Sequence, residues 1–281
     1  MMEMSAQGAG YIMDVMIRVW SALTIISVAY VVYDQMTSVG RMRVMKWSWV
    51  LATLYTGPVG LVSYLLSSNK PESGTHVRYG VPLWKQSVEA TFHCLAGCST
   101  GVVVAVAITS LFALPLGIEA IVEYVAGFVL GLFIFQALLT KEMVGCSYGR
   151  AVKISCLGQW LSMNAVMSGM IPVMVVLMSR DMQAMEPVSL RFWGILSLAS
   201  IVGAVLSYPV NWWLISYRLH PGMDGAKGET RDPNISAVTR LAVTLVTLVM
   251  LAGGVAVAAR YGDFTMHTGK MKGMPTGHDG G

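Results

Sequence analysis

Residues Lys153–Met185 read KISCLGQWLSMNAVMSGMIPVMVVLMSRDMQAM, and after Lys153 no charged residue appears until Arg180. An uncharged run of this length, wound as an α-helix at 1.5 Å per residue, makes a rod of about 39 Å, longer than the ~30 Å hydrocarbon core of a bilayer. A surface helix of a soluble domain would carry a polar stripe along one side. This one carries only Ser, Gly, Asn and Gln among its apolar residues. The stretch is a membrane span.

Working outward, six more stretches have the same character: roughly Tyr11–Tyr33, Trp47–Leu66, Ser87–Leu114, Gly117–Leu139, Phe192–Tyr217 and Ala237–Ala259. With Lys153–Met178 they predict an all-α, polytopic transmembrane helical bundle of about seven spans. Residues 1–260 form a single transmembrane domain on this reading, and residues 261–281 a flexible tail rich in Met and His. Over the whole chain 55% of residues are hydrophobic and only 12% charged, about half the charge of a soluble domain, so the first partner is the lipid bilayer. The net charge of +4 is scattered among loop ends, with no basic stripe or interleaved aromatics, and nucleic acid is excluded as a partner. The first apolar stretch runs on too far for a cleavable signal peptide. Asp14 and Arg18 stand i,i+4 in it and are expected to pair.

If every stretch crosses, Lys and Arg divide ten against eight between the two sides. The positive-inside rule then places the N-terminus in the cytoplasm and the C-terminus outside it. The expected location is a plasma (inner) membrane.

The fifth span also has a chemical signature. Met163, Met167, Met170, Met174, Met178, Met182 and Met185 follow one another at steps of three or four residues, the spacing of neighbours on a helix face. At 100° per residue they occupy an arc of about 120°, and Cys156 falls on the same arc. As one helix the column would be about 33 Å long. Methionine is an adaptable apolar filler, and core packing is one account of the pattern. The other is soft-metal chemistry: thioethers and thiolates select Cu(I), and a ladder of weak ligands suits conduction.

The third span contains HCLAGCSTG, His93–Gly101. Cys94 and Cys98 are one helical turn apart, with His93 beside them, and two thiolates plus an imidazole make a ligand set for Cu(I) or Zn(II). Gly97 and Gly101 supply the competing account, a small-xxx-small face for close helix packing. Glu119 and Glu123, also i,i+4, are either proton acceptors or partners of Lys and Arg. In the tail, Met266, His267, Met271, Met274 and His278 form a tract of the kind that collects copper loosely.

Three motifs stand together: YTGPVGLVSYL at Tyr55–Leu65, HCLAGCSTG at His93–Gly101 and SYPVNWWLI at Ser207–Ile215. The combination resembles a bacterial membrane-protein family catalogued only as a domain of unknown function, with the resemblance spanning roughly Trp47 to Leu219. The resemblance implies that His93, Cys94 and Cys98 form a characteristic site. In the resembled family an Asp usually follows the final Gly of the HCLAGCSTG motif, and this chain has Val102.

The expected function is copper handling: Cu(I) transport, or its transfer as by a chaperone, along the methionine-rich helix. His93, Cys94 and Cys98 would form the tighter site, and Cys156, Met163, Met167, Met170, Met174 and Met178 the path. The alternative is an accessory or structural subunit of a membrane metalloenzyme complex that supplies its copper, with other membrane subunits as partners. A haem role for His93 would find only one axial ligand in the span. No nucleotide-binding loop occurs, and no motif commits the chain to enzymatic catalysis.

Overall fold

The computed structural model describes residues 2–37, 42–67, 81–112, 114–217, 219 and 236–266, with side chains from Gly10 onward. Its helices are α1 (Met2–Thr37), α2 (Arg43–Thr56), α3 (Pro58–Ser67), α4 (Leu83–Thr109), α5 (Leu116–Leu130), α6 (Ala137–Val144), α7 (Tyr148–Met178), α8 (Leu190–Ser216) and α9 (Ala237–Tyr261). A π-helical turn, Gly131–Gln136, joins α5 and α6 into one rod, Leu116–Val144. Six helices among the described residues are long and apolar enough to cross a membrane: Gly10–Thr37, Leu83–Thr109, Leu116–Val144, Tyr148–Met178, Leu190–Ser216 and Ala237–Tyr261. The chain is a multi-pass helical membrane protein.

The seventh apolar stretch, Trp47–Leu66, is not a single span. It breaks at Gly57, whose φ of 59° and ψ of −135° suit only glycine, and Pro58 begins the next helix. The contacts show which way the chain goes from there. Lys46, near the start of α2, donates to the Gln35 carbonyl at the end of α1 (2.8 Å), whereas Gly57 sits against Trp20 and Thr24. Tyr64, seven residues further on, is back at the end of α1 and hydrogen-bonded to Asp34. Its ring also meets Trp49 edge-on at 5.3 Å. Helices α2 and α3 therefore form a re-entrant hairpin that enters, turns at Gly57 and leaves by the same face. Irregular backbone at membrane depth is tolerated where protein surrounds it, and Trp20 and Thr24 cover Gly57 here.

This hairpin changes the relation of the termini. Helix α4 runs parallel to α2 (Ser48 to His93, Tyr55 to Thr100) and antiparallel to α5, as the Gly97–Gly131 and Gly101–Gly127 contacts show. Helix α9 runs parallel to α7, with Thr247 beside Asn164 and Gly262 beside Val175. Helix α8 runs parallel to α1, through Arg191 to Asp14 and Trp20 to Ser197. The start of α1 and the end of α9 thus share one face, where seven crossings would have separated them.

Helix α7 occupies the centre: 78% of its most apolar window is buried, against 11% for α1 and 17% for α9. Pro172 lies inside it and removes the N–H that would bond the Ser168 carbonyl. Gly254 of α9 packs against that carbonyl, where a Cβ would have no room. Asp14 pairs not with Arg18 but with Arg191 (2.7 Å), which also holds Asp181 (2.9 Å). Helical spacing permitted the local pair, but the start of α8 brings a bidentate guanidinium to the same carboxylate.

Candidate metal centre

Helix α4 is buried through most of its length, and Cys94 and Cys98 point inward at 2% and 0% exposure. Their Sγ atoms are 3.8 Å apart. Two thiolates sharing one ion at about 2.3 Å each would subtend an angle of ~110° at that separation. Neither cysteine is in a disulfide. Gln159 of α7 points its Nε2 at Cys98 Sγ, 4.0 Å away, and the glycines Gly97 and Gly131 let the π-turn and Gln159 come this close. A Cβ on Gly97 would lie 2.8 Å from the Gly131 Cα. Gly101 has still less room against the Gly127 backbone. The small-residue face and the dithiol are therefore parts of one construction.

His93 does not join the two thiols. One position along the helix turns it about 100° away, toward α2, where Nδ1 is 2.8 Å from Ser48 Oγ. Its ring meets Phe135 edge-on at 6.1 Å. Among the described residues no group of three or more His, Cys, Asp or Glu side chains is placed to hold a metal ion. The Met163 and Met167 methyls and the Cys98 carbonyl all converge on Gly127, so thioethers approach this part of α4.

The methionine face of α7 is turned to protein. Met163, Met167, Met170, Met174 and Met178 are 0–4% exposed. Gly127 of α5 receives the Met163 and Met167 methyls, and Gly203 of α8 receives the Met170 side chain. Met174 and Met178 line a small cavity with Leu116, Glu119, Ala120, Glu123, Ile171 and Val175. The column is shorter than the sequence spacing implies, because α7 ends at Met178. Met182 and Met185 belong to a separate 3-10 turn, and Met182 is 51% exposed. Cys156 shares the azimuth of the methionines but is exposed, since no neighbour covers that face so near the start of α7.

The chain beyond α9 remains attached to the bundle up to Met266. The Leu116 N–H donates to the Met266 carbonyl (2.8 Å) and the Gly117 N–H to the Phe264 carbonyl (3.0 Å), which satisfies two orphan donors of α5. Residues 261–266 are therefore docked and not a free tail. His267, Met271, Met274 and His278 lie outside the described residues.

Sequence reasoning missed three elements of this centre: the hairpin, Gln159, and the meeting of Glu119 and Glu123 with the methionine face. Asn211 of the YPVNWW motif donates to Thr91 (3.1 Å), one turn from Cys94, so both hallmark motifs meet at the site. Val102, where the resembled family has Asp, is fully buried among apolar neighbours. No curated protein and no solved structure matches the chain. Residues 83–219, which include HCLAGCSTG and SYPVNWWLI but not the hairpin, match the family model described as Domain of unknown function (DUF4396).

Proposed function

We propose that this is a bacterial inner-membrane protein that handles Cu(I), holding it at Cys94 and Cys98 and passing it along Met163–Met178. The observation that carries the reading is the pair of buried sulfurs 3.8 Å apart on a helix packed against the methionine-bearing one. Thiolate and thioether are the ligands that favour Cu(I), which accepts two or three of them, whereas structural Zn(II) normally takes four.

The topology supports an orientation. With α2 and α3 folded back, the described residues on the face bearing the hairpin ends include Arg43, Lys46, Lys85, Lys141, Arg150, Lys153 and Arg240. The described residues on the face with the start of α1 and the end of α9 include Arg18, Arg180, Arg191 and Arg260. Seven against four among the described residues favours a cytoplasmic side for the hairpin ends and an outer side for both termini. The Met/His tract of residues 266–278 then collects copper on the outer side.

The accessory-subunit reading has one observation of its own. Met163, Met167 and Met170 fit against glycines in a close-packed core, as structural fillers do. Titration of purified protein separates the two. A Cu(I) transporter binds Cu(I) more tightly than Zn(II), and Cys94→Ser with Cys98→Ser removes the tightest site. Retention of that site in the double variant refutes the transport reading. A stoichiometric partner on native purification would then favour the accessory subunit.

A further inference from the structure

We propose a second metal site at the outer end of the methionine face, in which Glu119 and Glu123 of α5 and Met174 and Met178 of α7 receive one Cu(I) ion. The proposal rests on the Cu(I) reading and extends it to residues that reading does not use.

Glu119 and Glu123 are buried at 2% and 7% exposure, one turn apart on α5, and both line the cavity faced by Met174 and Met178. Glu119 accepts a hydrogen bond from Thr109 Oγ1 (2.7 Å). Glu123 accepts none among the described residues, although burial normally obliges a carboxyl to find a partner. The space between the helices takes about one water-sized sphere (≈ 10 Å³), which is room for one small ion. Two carboxyls and two thioethers therefore face one space from opposite helices.

The ion's identity follows from the rest of the wall. Carboxylates alone suit Mg²⁺, Ca²⁺ or Mn²⁺, whereas two thioethers opposite them select a soft ion. Thioethers are neutral, however, and a Cu(I) ion on methionine alone would enter low dielectric with its charge uncompensated. Glu119 and Glu123 supply that charge where the ion leaves water. The site is also where the tail is anchored: Met266 is tied by its carbonyl to Leu116, a residue of the same cavity. His267 follows Met266 directly in sequence.

The test is an anaerobic titration of the full-length protein with Cu(I) against a chromogenic Cu(I) chelator. Protection of Cys94 and Cys98 by Cu(I) is read in the same samples from the ultraviolet thiolate-to-Cu(I) absorption, because burial alone already shields both thiols from alkylating reagents. Glu119→Gln with Glu123→Gln should lose one equivalent of Cu(I) while the cysteines remain protected. Met174→Leu with Met178→Leu should lose the same equivalent. Glu123→Gln alone, which keeps the Thr109 bond to Glu119, guards against misfolding of the double variant and should weaken the same equivalent. Unchanged stoichiometry and affinity in folded Glu variants overturns the proposal. So does replacement of that equivalent by Mn(II) or Ca(II) at equal affinity. If Cys94→Ser with Cys98→Ser has no effect while the Glu variants still lose an equivalent, the dithiol reading fails and this site stands.

Discussion

Changing Gly57 to Ala tests the re-entrant hairpin directly, because two independent penalties converge on that residue. Its backbone has φ of 59° and ψ of −135°, a region that costs a residue with a Cβ about 1–3 kcal/mol. The new methyl would also stand 2.6 Å from Thr24 Oγ1 and 3.2 Å from two carbons of the Trp20 ring, where contacts of about 3.5–4.0 Å are normal. Overpacking of this kind costs a further ~1–3 kcal/mol, for a total of about 2–6 kcal/mol. Thr24 offers a way to divide the sum. Removing its hydroxyl by Thr24→Ala in the Gly57→Ala background relieves the closest contact but leaves the dihedral strain. The double variant should therefore recover part of the loss and no more. The assay is chemical unfolding in detergent followed by tryptophan fluorescence, since Trp20 and Trp49 flank the hairpin. Gly149→Ala, at a position with open space around it, is the control. A loss of less than about 0.5 kcal/mol for Gly57→Ala, within the range of an ordinary surface change, would refute the positive φ. The turn that returns α3 to the entry face would fall with it.

Three further expectations follow from other contacts. Cysteines introduced at Ser5 and Thr276 should both react with an impermeant maleimide in intact spheroplasts, and cysteines at Asn69 and Gly225 only after permeabilisation; labelling of Ser5 and Thr276 from opposite sides would restore seven crossings. Gly101→Ala should destabilise by about 1–3 kcal/mol, because its methyl meets Gly127 backbone, while Gly253→Ala, with open space, should be neutral or slightly stabilising by thermal unfolding. Arg191→Gln should loosen α1 from α8 through loss of the Asp14 and Asp181 bonds, at a cost of only about 1 kcal/mol because the groups are partly solvated, and hydrogen exchange in the first turns of α1 should rise. Unchanged exchange there would mean that Trp20 to Ser197 (2.9 Å) holds the helix alone.

How much of this was legible in the sequence depended on whether a property was local. The uncharged run in α7 identified a span unaided, because length and apolarity are properties of one helix. Trp47–Leu66 has the same length and apolarity, but a single pass and a folded hairpin bury similar residues. Only Gly57-Pro58 at its middle distinguishes them. The i,i+4 step of Cys94 and Cys98 placed their sulfurs correctly, because that geometry is internal to α4. His93 was grouped with them by adjacency, although adjacency on a helix separates side chains by about 100°. Cys156 shows the converse: it has the right azimuth but no covering neighbour, and exposure is set by other helices. Glu119 and Glu123 were visible as a pair, but their opposition to Met174 and Met178 depends on how α5 crosses α7.

Charge is the physical thread that joins the parts of the proposed path. A column of thioethers can bind Cu(I) and let it go, but it gives the ion nothing to offset the loss of hydration. In this chain the anionic groups stand at two levels of the column. Glu119 and Glu123 lie beside Met174 and Met178 at the outer end, and Cys94 and Cys98 lie deeper, beside Gln159. Between the levels Met163, Met167 and Met170 run along α7 for about 10 Å and offer an ion thioether sulfur without charge. Removing sulfur from the middle and removing charge from the ends should therefore fail differently. Met167→Leu with Met170→Leu should leave both bound equivalents intact and slow copper movement through proteoliposomes, because Leu keeps the volume and loses the ligand. Loss of an equivalent in that variant would show that the middle methionines bind the ion at rest, and the division between charged ends and a neutral path would be wrong.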